Sequence, residues 1–280
     1  MPYNGINLEE EFVKDDDAVS EAGEEEEAAE KLSLAAICGD SAKLSAFLAE
    51  SAHTMASRSE ALRWAVHHGH AGCVKLLLET GMNKAAASLA LSLAADCGHV
   101  ECVELLIPAS DPQASNLTAL TMAACGGHAE CVGLLLAVSN PKADESYALR
   151  LAASRGRAEC VRLLLPVSDP QANQSQALKM AASGGHIECV KLLLPVSESL
   201  LDNAAPIDAA LALGDAKILS LMLLSEPRRE AVLCFSEIRK SALGKGFREL
   251  AQLCSAVLER RELSAWAAAG SGGNQRSARL

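Results

Sequence analysis

Histidine and cysteine recur three residues apart along this chain, and that pairing is a candidate for metal binding or nucleophilic catalysis. The pairs are His70 with Cys73, His99 with Cys102, His128 with Cys131, and His186 with Cys189. Zinc in proteins takes about four ligands, with Zn–N and Zn–S bonds of roughly 2.0–2.3 Å. A nucleophilic cysteine requires a neighbouring base such as histidine. The pattern therefore raises both a zinc site and a cysteine nucleophile as hypotheses.

Neither chemistry fits the way in which the pairs recur. Each pair supplies only two ligands, and packed helices lie roughly 8–10 Å apart, too far for neighbouring pairs to share one ion. Arg157 replaces the histidine before Cys160, while the rest of that segment keeps its pattern. A catalytic dyad is usually a single site, whereas this pair repeats. We therefore expect histidines that hydrogen-bond a turn between helices, reduced cysteines that pack in a core, and no bound metal or cofactor.

A glycine marks a repeat of 29 residues through most of the chain. The glycines are Gly39, Gly69, Gly98, Gly127, Gly156, Gly185 and Gly214, with Gly39 one residue out of phase. Alanine lies four residues before each of them, and leucine or isoleucine lies seven before. The apolar positions around each glycine have the spacing of two short amphipathic helices, and glycine suits the left-handed backbone that ends the first one. Each repeat is therefore predicted to be a helical hairpin whose apolar face is covered by stacked neighbours.

One repeat carries a resemblance to a known family. The segment from Ala177 to Leu194 reads ALKMAASGGHIECVKLLL, which resembles the core of the ankyrin repeat, and four more segments match it closely. Ala177 occupies the place of the family's usual proline, and the period is shorter than the family's 33 residues. The missing residues fall where ankyrin repeats carry β-hairpin fingers. The resemblance implies an all-α ankyrin-like solenoid of stacked helix-turn-helix repeats with shortened or absent β-hairpin fingers.

Charge and repeat quality divide the chain into segments. Residues 1–30 hold nine Glu, three Asp and one Lys, which equals the formal net charge of the whole chain, −11. Terminal repeats must cover the open ends of a stack. The predicted segments are an acidic disordered arm at 1–28, a degenerate N-terminal capping repeat at 29–58, five ankyrin-like repeats at 59–203, a degenerate repeat at 204–225, C-terminal capping helices at 226–268 and a flexible tail at 269–280.

Composition excludes several classes of function. The negative charge and an aromatic content of 3% disfavour nucleic-acid binding. We expect no membrane span, because no apolar run reaches about 18 residues, and no cleaved signal peptide. No phosphate loop, serine elbow or pair of catalytic carboxylates lies in a matching context, so we expect no enzymatic activity. Ten cysteines without the spacing of a small disulfide framework favour reduced thiols. We therefore expect a cytoplasmic monomer.

Two positions of the first helix vary between repeats and are candidates for partner binding. They lie six and two residues before the glycine, so they share one helix face. In ankyrin stacks this face borders the concave groove. Arg155 adds a further cation close to two members of the set. The predicted protein-binding residues are Arg63, His67, Ser92, Asp96, Thr121, Arg150, Ser154, Arg155, Lys179 and Ser183.

The sequence thus predicts a non-catalytic module that binds a protein partner through the concave face of an ankyrin-like stack. Similar short-turn ankyrin proteins occur in bacteria that meet eukaryotic hosts, and this analogy suggests a bacterial effector delivered into a host cell to act on host proteins. Two alternatives remain open at this stage. One is a chaperone or inhibitor that uses the acidic arm as a decoy for a basic partner, and the other is an enzyme with a site in residues 226–280.

Overall fold

The all-α architecture predicted from the sequence is confirmed. The computed structural model describes residues 15–50, 53–112, 119–197 and 205–225, with a few helical positions between 251 and 259. These residues form fourteen α-helices, two short 3-10 helices and no strand. The predicted capping helices of 226–268 lie almost entirely outside the described residues, and the predicted tail of 269–280 lies wholly outside them.

The helices come in pairs. Odd numbers denote the first helix of each repeat, and even numbers denote the second. The helices are α1 (Asp15–Cys38), α2 (Ser41–Glu50), α3 (Met55–His67), α4 (Ala71–Glu79), α5 (Lys84–Cys97), α6 (Val100–Leu106), α7 (Ala119–Gly126), α8 (Ala129–Leu136), α9 (Ala143–Ser154), α10 (Ala158–Leu164), α11 (Ala172–Ser183), α12 (Ile187–Leu193), α13 (Ala205–Leu213) and α14 (Ala216–Ser225). The 3-10 helices are Ile107–Ala109 and Leu194–Val196.

The repeated glycine ends the first helix in a left-handed conformation, as predicted. Gly98, which follows α5, has φ 79° and ψ 25°, and its N–H donates to the carbonyl of Ala94. The six equivalent glycines also have positive φ. A glycine adopts this conformation without a Cβ clash, so the chain can reverse into the second helix within two residues.

The chain divides into two compact units, one of Met1–Ala123 with Gly133–Ser139 and the other of Ala124–Val132 with Asn140–Leu280. In the first unit α3 packs between α1 and α5, while α4 packs between α2 and α6. In the second unit α11 packs between α9 and α13, while α12 packs between α10 and α14. Each unit is therefore a stack of hairpins in chain order.

Alanine and leucine form the contact layer between hairpins. Ala152 and Ala181 lie four residues before their glycines and are fully buried, as are Leu149 and Leu178 three residues earlier. The small alanine allows neighbouring helices to approach closely, and the leucine fills the space beside it.

Short turns replace the β-hairpin fingers, as the missing residues predicted. The connections between α8 and α9, at 137–142, and between α10 and α11, at 165–171, are fully described and contain no strand. The connection between α4 and α5 is four residues long, at 80–83.

The N-terminal helix differs from the prediction of a disordered arm over 1–28. α1 begins at Asp15, so residues 15–28 are helical, while 1–14 lie outside the described residues. Nine of the twelve acidic residues of 1–30 belong to α1. The charge alone suggested disorder, but Glu and Ala are good helix formers, and acidic side chains are favourable near a helix N-terminus. Most of this acidity therefore lies on α1, which packs against α3 and whose described buried residues, Leu32, Ala35 and Ala36, follow the acidic part.

Two first helices of the second unit, α9 and α11, begin with a turn of the opposite hand. Asp144, Glu145 and Ser146 in α9 have φ of 48°, 56° and 59°, and 173–175 in α11 repeat this conformation. Left-handed backbone costs about 1–2 kcal/mol for each residue other than glycine. Ser146 is buried, and its Oγ accepts the N–H of Asp169 at 2.8 Å. The turn thus supplies a bond to the connection that leads into the next repeat.

Candidate protein-binding surface

His70, His99 and His186 make the predicted kind of hydrogen bond, but its acceptor lies in the last turn of the first helix of the preceding repeat, so these histidines join neighbouring hairpins. His70 Nε2 lies 3.0 Å from the carbonyl oxygen of Ile37, and His186 Nε2 lies 3.0 Å from that of Ser154. His99 makes the same contact with the preceding repeat at 3.1 Å. Each imidazole begins the second helix of one repeat and bonds the end of the first helix of the repeat before it.

Arg157, which replaces the histidine before Cys160, also bonds the preceding repeat. Its Nε donates to the carbonyl oxygen of Cys125 at 3.2 Å. Its side chain also packs over Gly127, where an added Cβ would lie 2.7 Å from the Arg157 Cδ. The substitution therefore keeps both the bond between repeats and the contact with the glycine.

The cysteines of these pairs are core residues. Cys102, Cys160 and Cys189 are almost fully buried, and burial raises the pKa of each thiol to about 11. A neutral, enclosed thiol is a poor nucleophile and a poor metal ligand. In the part of the chain that the structure describes, no group of three or more His, Cys, Asp or Glu side chains could hold a metal ion.

These thiols should resist alkylation in the native protein. A pKa about two units above normal lowers the thiolate fraction about 100-fold, and the higher nucleophilicity of a more basic thiolate offsets about half of this on a logarithmic scale. Cys160 and Cys189 should therefore react at least about tenfold more slowly than an unperturbed cysteine, and their burial slows them further. Their rates should still rise with pH up to about pH 11. Timed labelling with iodoacetamide, read by peptide mass spectrometry, measures this, with the exposed Cys38 and urea-unfolded protein as controls. Native-state rates equal to that of Cys38 would contradict the assignment.

In the first unit the predicted binding residues lie on the accessible side of α3 and α5, with one exception. Arg63, His67 and Asp96 are exposed and Ser92 is half-buried. Thr121 is only 4% exposed, so its place among the binding residues is corrected. Threonine is small enough to be enclosed by the apolar residues beside it in α7, and it belongs to the core.

Arg63 forms an ion pair with a carboxylate and also contacts an aromatic ring. Its Nη2 is 3.7 Å from the Glu60 Oε1, and its guanidinium carbon is 4.6 Å from the centre of the Trp64 ring. The rings of His67 and His68 each lie 6.2 Å from that of Trp64. Trp64 therefore anchors a cluster of polar rings at the end of α3.

An open apolar cleft of about 590 Å³ lies between α3 and α5. Leu89 on its wall is 70% exposed, the most of any large apolar residue described. The lining residues are Ser59, Glu60, Arg63, Asn83, Ala85, Ala86, Leu89, Ala90 and Leu93. Only Arg63 of this set was predicted from the sequence. Leu93 belongs to a column of apolar residues five positions before each repeat glycine, a signal that could have found it, whereas Leu89 lies outside this column. The column is Leu34, Trp64, Leu93, Met122, Leu151, Met180 and Ala209.

In the second unit the predicted residues lie on α9 and α11 and at the C-cap of α9. Arg150, Ser154 and Lys179 are half-buried, whereas Arg155 and Ser183 are exposed. The structure thus places two cations and two hydroxyls on the first helices of two packed repeats, with a third cation at the C-cap of α9.

A serine that recurs in the first helices, and that was not predicted from the sequence, bonds the connection to the next repeat at two positions. Ser88 Oγ accepts the N–H of Asp111 at 2.9 Å, the equivalent of the bond that Ser146 makes with Asp169. Serine lies ten residues before the glycine at Ser59, Ser88, Ser146 and Ser175. Ser88 and Ser146 hold the connection to the next repeat, whereas the Ser59 Oγ donates to the carbonyl oxygen of Met55 at 2.7 Å. The described roles of this serine are structural.

The comparisons with known proteins identify the family. A family model described as Ankyrin repeats (3 copies) matches residues 32–116, 91–174, 120–205 and 150–230. The chain therefore belongs to the ankyrin repeat family. The structure is similar to the crystal structure of the human ASB11 ankyrin repeat domain, with a TM-score of 0.61 and 26% sequence identity over 70% of this chain and 98% of that one. No curated protein matches the sequence significantly.

Proposed function

We propose that this protein is a non-catalytic module that binds a protein partner on the accessible face of its first helices. Ankyrin repeats are generally protein–protein interaction modules. The observation that carries the proposal is the cleft between α3 and α5, whose wall exposes 70% of Leu89 to water.

The composition of this cleft suits a protein side chain. Full burial of one leucine is worth about 1.5–3 kcal/mol, so a partner that covers Leu89 gains binding energy from a residue that stabilises the free protein little. Glu60, Arg63 and Asn83 place polar groups around the apolar wall. An apolar centre with a polar rim is the usual arrangement of a protein interface.

The repeated histidines and cysteines support a non-catalytic role. The described histidine bonds hold neighbouring hairpins together, and burial raises the pKa of the adjacent thiols. A residue pair that serves as a packing unit in several repeats is not held ready for chemistry at one site. The alternative of an enzyme with a site in 226–280 concerns residues that lie almost entirely outside the described part of the chain.

A cytoplasmic, monomeric protein is part of the proposal. The eight cysteines described are free, and five of them are buried, as in proteins of reducing compartments. None of the described helices combines the length and apolarity that a membrane span requires. Action as an effector inside a host cell rests on the bacterial analogy alone. A reporter fused to the protein, assayed in host cytosol, tests that role.

Selection of peptides tests the binding face without knowledge of the partner. A displayed library of random peptides is selected on the wild-type protein, and the selected peptides are measured against Leu89→Asp. We expect at least about tenfold weaker binding, since the substitution puts a charge in the cleft and removes an apolar contact worth about 1.4 kcal/mol or more.

Leu163→Asp is the matched control, because Leu163 is 39% exposed on the second helix α10. It should leave the affinity of the selected peptides unchanged. Equal binding to wild type and Leu89→Asp, or a library that yields no specific peptide, would contradict the proposed binding face.

A further inference from the structure

The same helix position carries a cation in three repeats, but its surroundings differ between them. Arg63 in α3 lies six residues before its glycine, and Glu60, three residues earlier, neutralises it. Arg150 in α9 and Lys179 in α11 occupy the equivalent position. The residues that correspond to Glu60 are the uncharged Tyr147 and Gln176. The carboxylate that compensates the cation in α3 is therefore missing in α9 and α11.

In the second helices of the same two repeats, in contrast, the cations have carboxylate partners. In α10 the Arg162 Nε lies 3.4 Å from Glu159 Oε2, and in α12 the Lys191 Nζ lies 2.7 Å from Glu188 Oε1. Among the described residues no ion pair involves Arg150, Arg155 or Lys179. The cations within α10 and α12 are thus paired, whereas Arg150, Arg155 and Lys179 are not. Arg157, at the N-cap of α10, also has no ion pair among the described residues, but it is engaged by the Cys125 carbonyl oxygen.

Arg150 is held in place by its own helix. Its Nη2 donates to the carbonyl of Asp144 at 2.8 Å, and its guanidinium carbon lies 5.2 Å from the centre of the Tyr147 ring. The left-handed start of α9 includes Asp144. The Nε atom is buried and has no hydrogen-bond partner among the described residues. The guanidinium is therefore partly desolvated and oriented, which lowers the entropic cost of binding an anion.

Apolar side chains adjoin these cations. Leu151 and Met180 follow Arg150 and Lys179 in the sequence and are half-buried on the same two helices. α9 packs against α11, and packed helices lie roughly 8–10 Å apart. Alternate residues of an extended peptide lie roughly 6.6–7 Å apart, a spacing that the flexible lysine side chain can match. The face thus suits two carboxylates with an apolar side chain between or beside them.

We propose that the face formed by Arg150, Leu151, Arg155, Lys179 and Met180 is the docking site for a partner segment that is rich in Asp or Glu and contains apolar residues. The inference rests on the proposed function, because it takes the first helices as the binding face. It adds the chemistry of the partner, which follows from the three uncompensated cations and the two adjacent apolar side chains. A nucleic acid is the less suitable anion, because its bases need aromatic stacking surfaces, and Tyr147 on this face already contacts Arg150.

A labelled peptide of repeated Glu-Glu-Leu units is the probe, and its counterpart of Gln-Gln-Leu units is the neutral reference. Fluorescence polarisation with the full chain measures both affinities at low and at high salt. We expect the acidic peptide to bind at least about tenfold more tightly than the neutral one at low salt, and the difference to shrink at high salt as screening increases.

The variant Arg150→Gln with Lys179→Gln removes the two cations, and Arg162→Gln with Lys191→Gln is its control with the same change in net charge. The first should weaken binding of the acidic peptide about tenfold, and the second by less than about twofold. Circular dichroism verifies that both variants fold. Lys179→Gln alone, which leaves the Arg150 contacts intact, should weaken binding about threefold.

Equal effects of the two double variants, or equal affinity for the two peptides, would overturn the inference. Tighter binding of a single-stranded oligonucleotide than of the acidic peptide would also overturn it and favour a nucleic acid. If Leu89→Asp abolishes binding of the library peptides while Arg150→Gln with Lys179→Gln leaves the acidic peptide unaffected, the proposed function stands and this inference fails. If neither variant weakens any peptide, both fail.

Discussion

Replacement of Gly156 by alanine should lower the free energy of unfolding by about 2–3 kcal/mol, because two separate costs combine. Gly156 has φ +70°, which an L-residue adopts only with strain. An added Cβ would also lie 2.5 Å from the Nδ1 of His186. The imidazole would have to move, and its bond to the carbonyl of Ser154 at 3.0 Å would be lost or weakened.

Gly185 provides the matched control. Its φ is +74°, but an added Cβ would meet only the Leu213 Cδ2, at 3.2 Å. Gly185→Ala should therefore cost about 1–2 kcal/mol, which is the backbone strain without displacement of an imidazole. Urea unfolding followed by circular dichroism measures both variants.

A double-mutant cycle isolates the contact between Gly156 and His186. In a His186→Ala background the cost of Gly156→Ala should fall to that of Gly185→Ala, because the colliding ring is gone. Identical costs of Gly156→Ala in the two backgrounds would show that the ring does not restrict this glycine, and the explanation of the recurring glycine and histidine would then be wrong.

Gly156 and His186 show which part of the fold can be predicted from the sequence and which part cannot. A glycine between two amphipathic segments predicts a left-handed turn, since that inference concerns only neighbouring residues. The second reason for glycine at 156 is the imidazole of His186, thirty residues later in the chain. That contact exists only because the hairpins stack, so local patterns cannot predict it. The contact of Arg157 with Gly127 has the same origin.

The hairpins themselves were predictable because several copies repeat the same pattern. Buried alanine and leucine at fixed distances from the glycine define the helix faces, and the period fixes where each hairpin begins. The start of α1 at Asp15 was not predictable in this way, because the acidic segment has no repeat to which it can be aligned. Its composition supports helix as well as disorder, and packing against α3 favours the helix.

The candidate site was only partly predictable. Variation between repeats located Arg150 and Lys179, but it also selected Thr121, which the structure encloses. Variation does not separate an exposed position from a buried one when the side chain is small. The lack of a compensating carboxylate was visible in the sequence at Tyr147 and Gln176, three residues before the cations. The exposure of Leu89 could not be predicted from the sequence, because the cleft beside it depends on how α3 and α5 pack.

The left-handed backbone at the start of α9 and α11 could not be predicted from the sequence. Asp144 and Glu145 have no special preference that outweighs the cost of positive φ. The buried Ser146 and its bond to Asp169 help to offset that cost. The same turn provides the carbonyl that orients Arg150. Structural support and site geometry are therefore coupled at this point of the second unit.

Leucine in place of Ala152 or Ala181 should destabilise the second unit by about 1–3 kcal/mol in each case. Both alanines are fully buried in first helices that pack on one another, so the added carbons must displace packed neighbours. The helices must separate or the leucine must adopt a strained rotamer. Ala212 in α13 is exposed, so Ala212→Leu is the control and should change stability by less than about 0.5 kcal/mol. Urea midpoints that stay unchanged for Ala152→Leu and Ala181→Leu would show that these helices do not meet as described, because close packing leaves no other means of absorbing the volume.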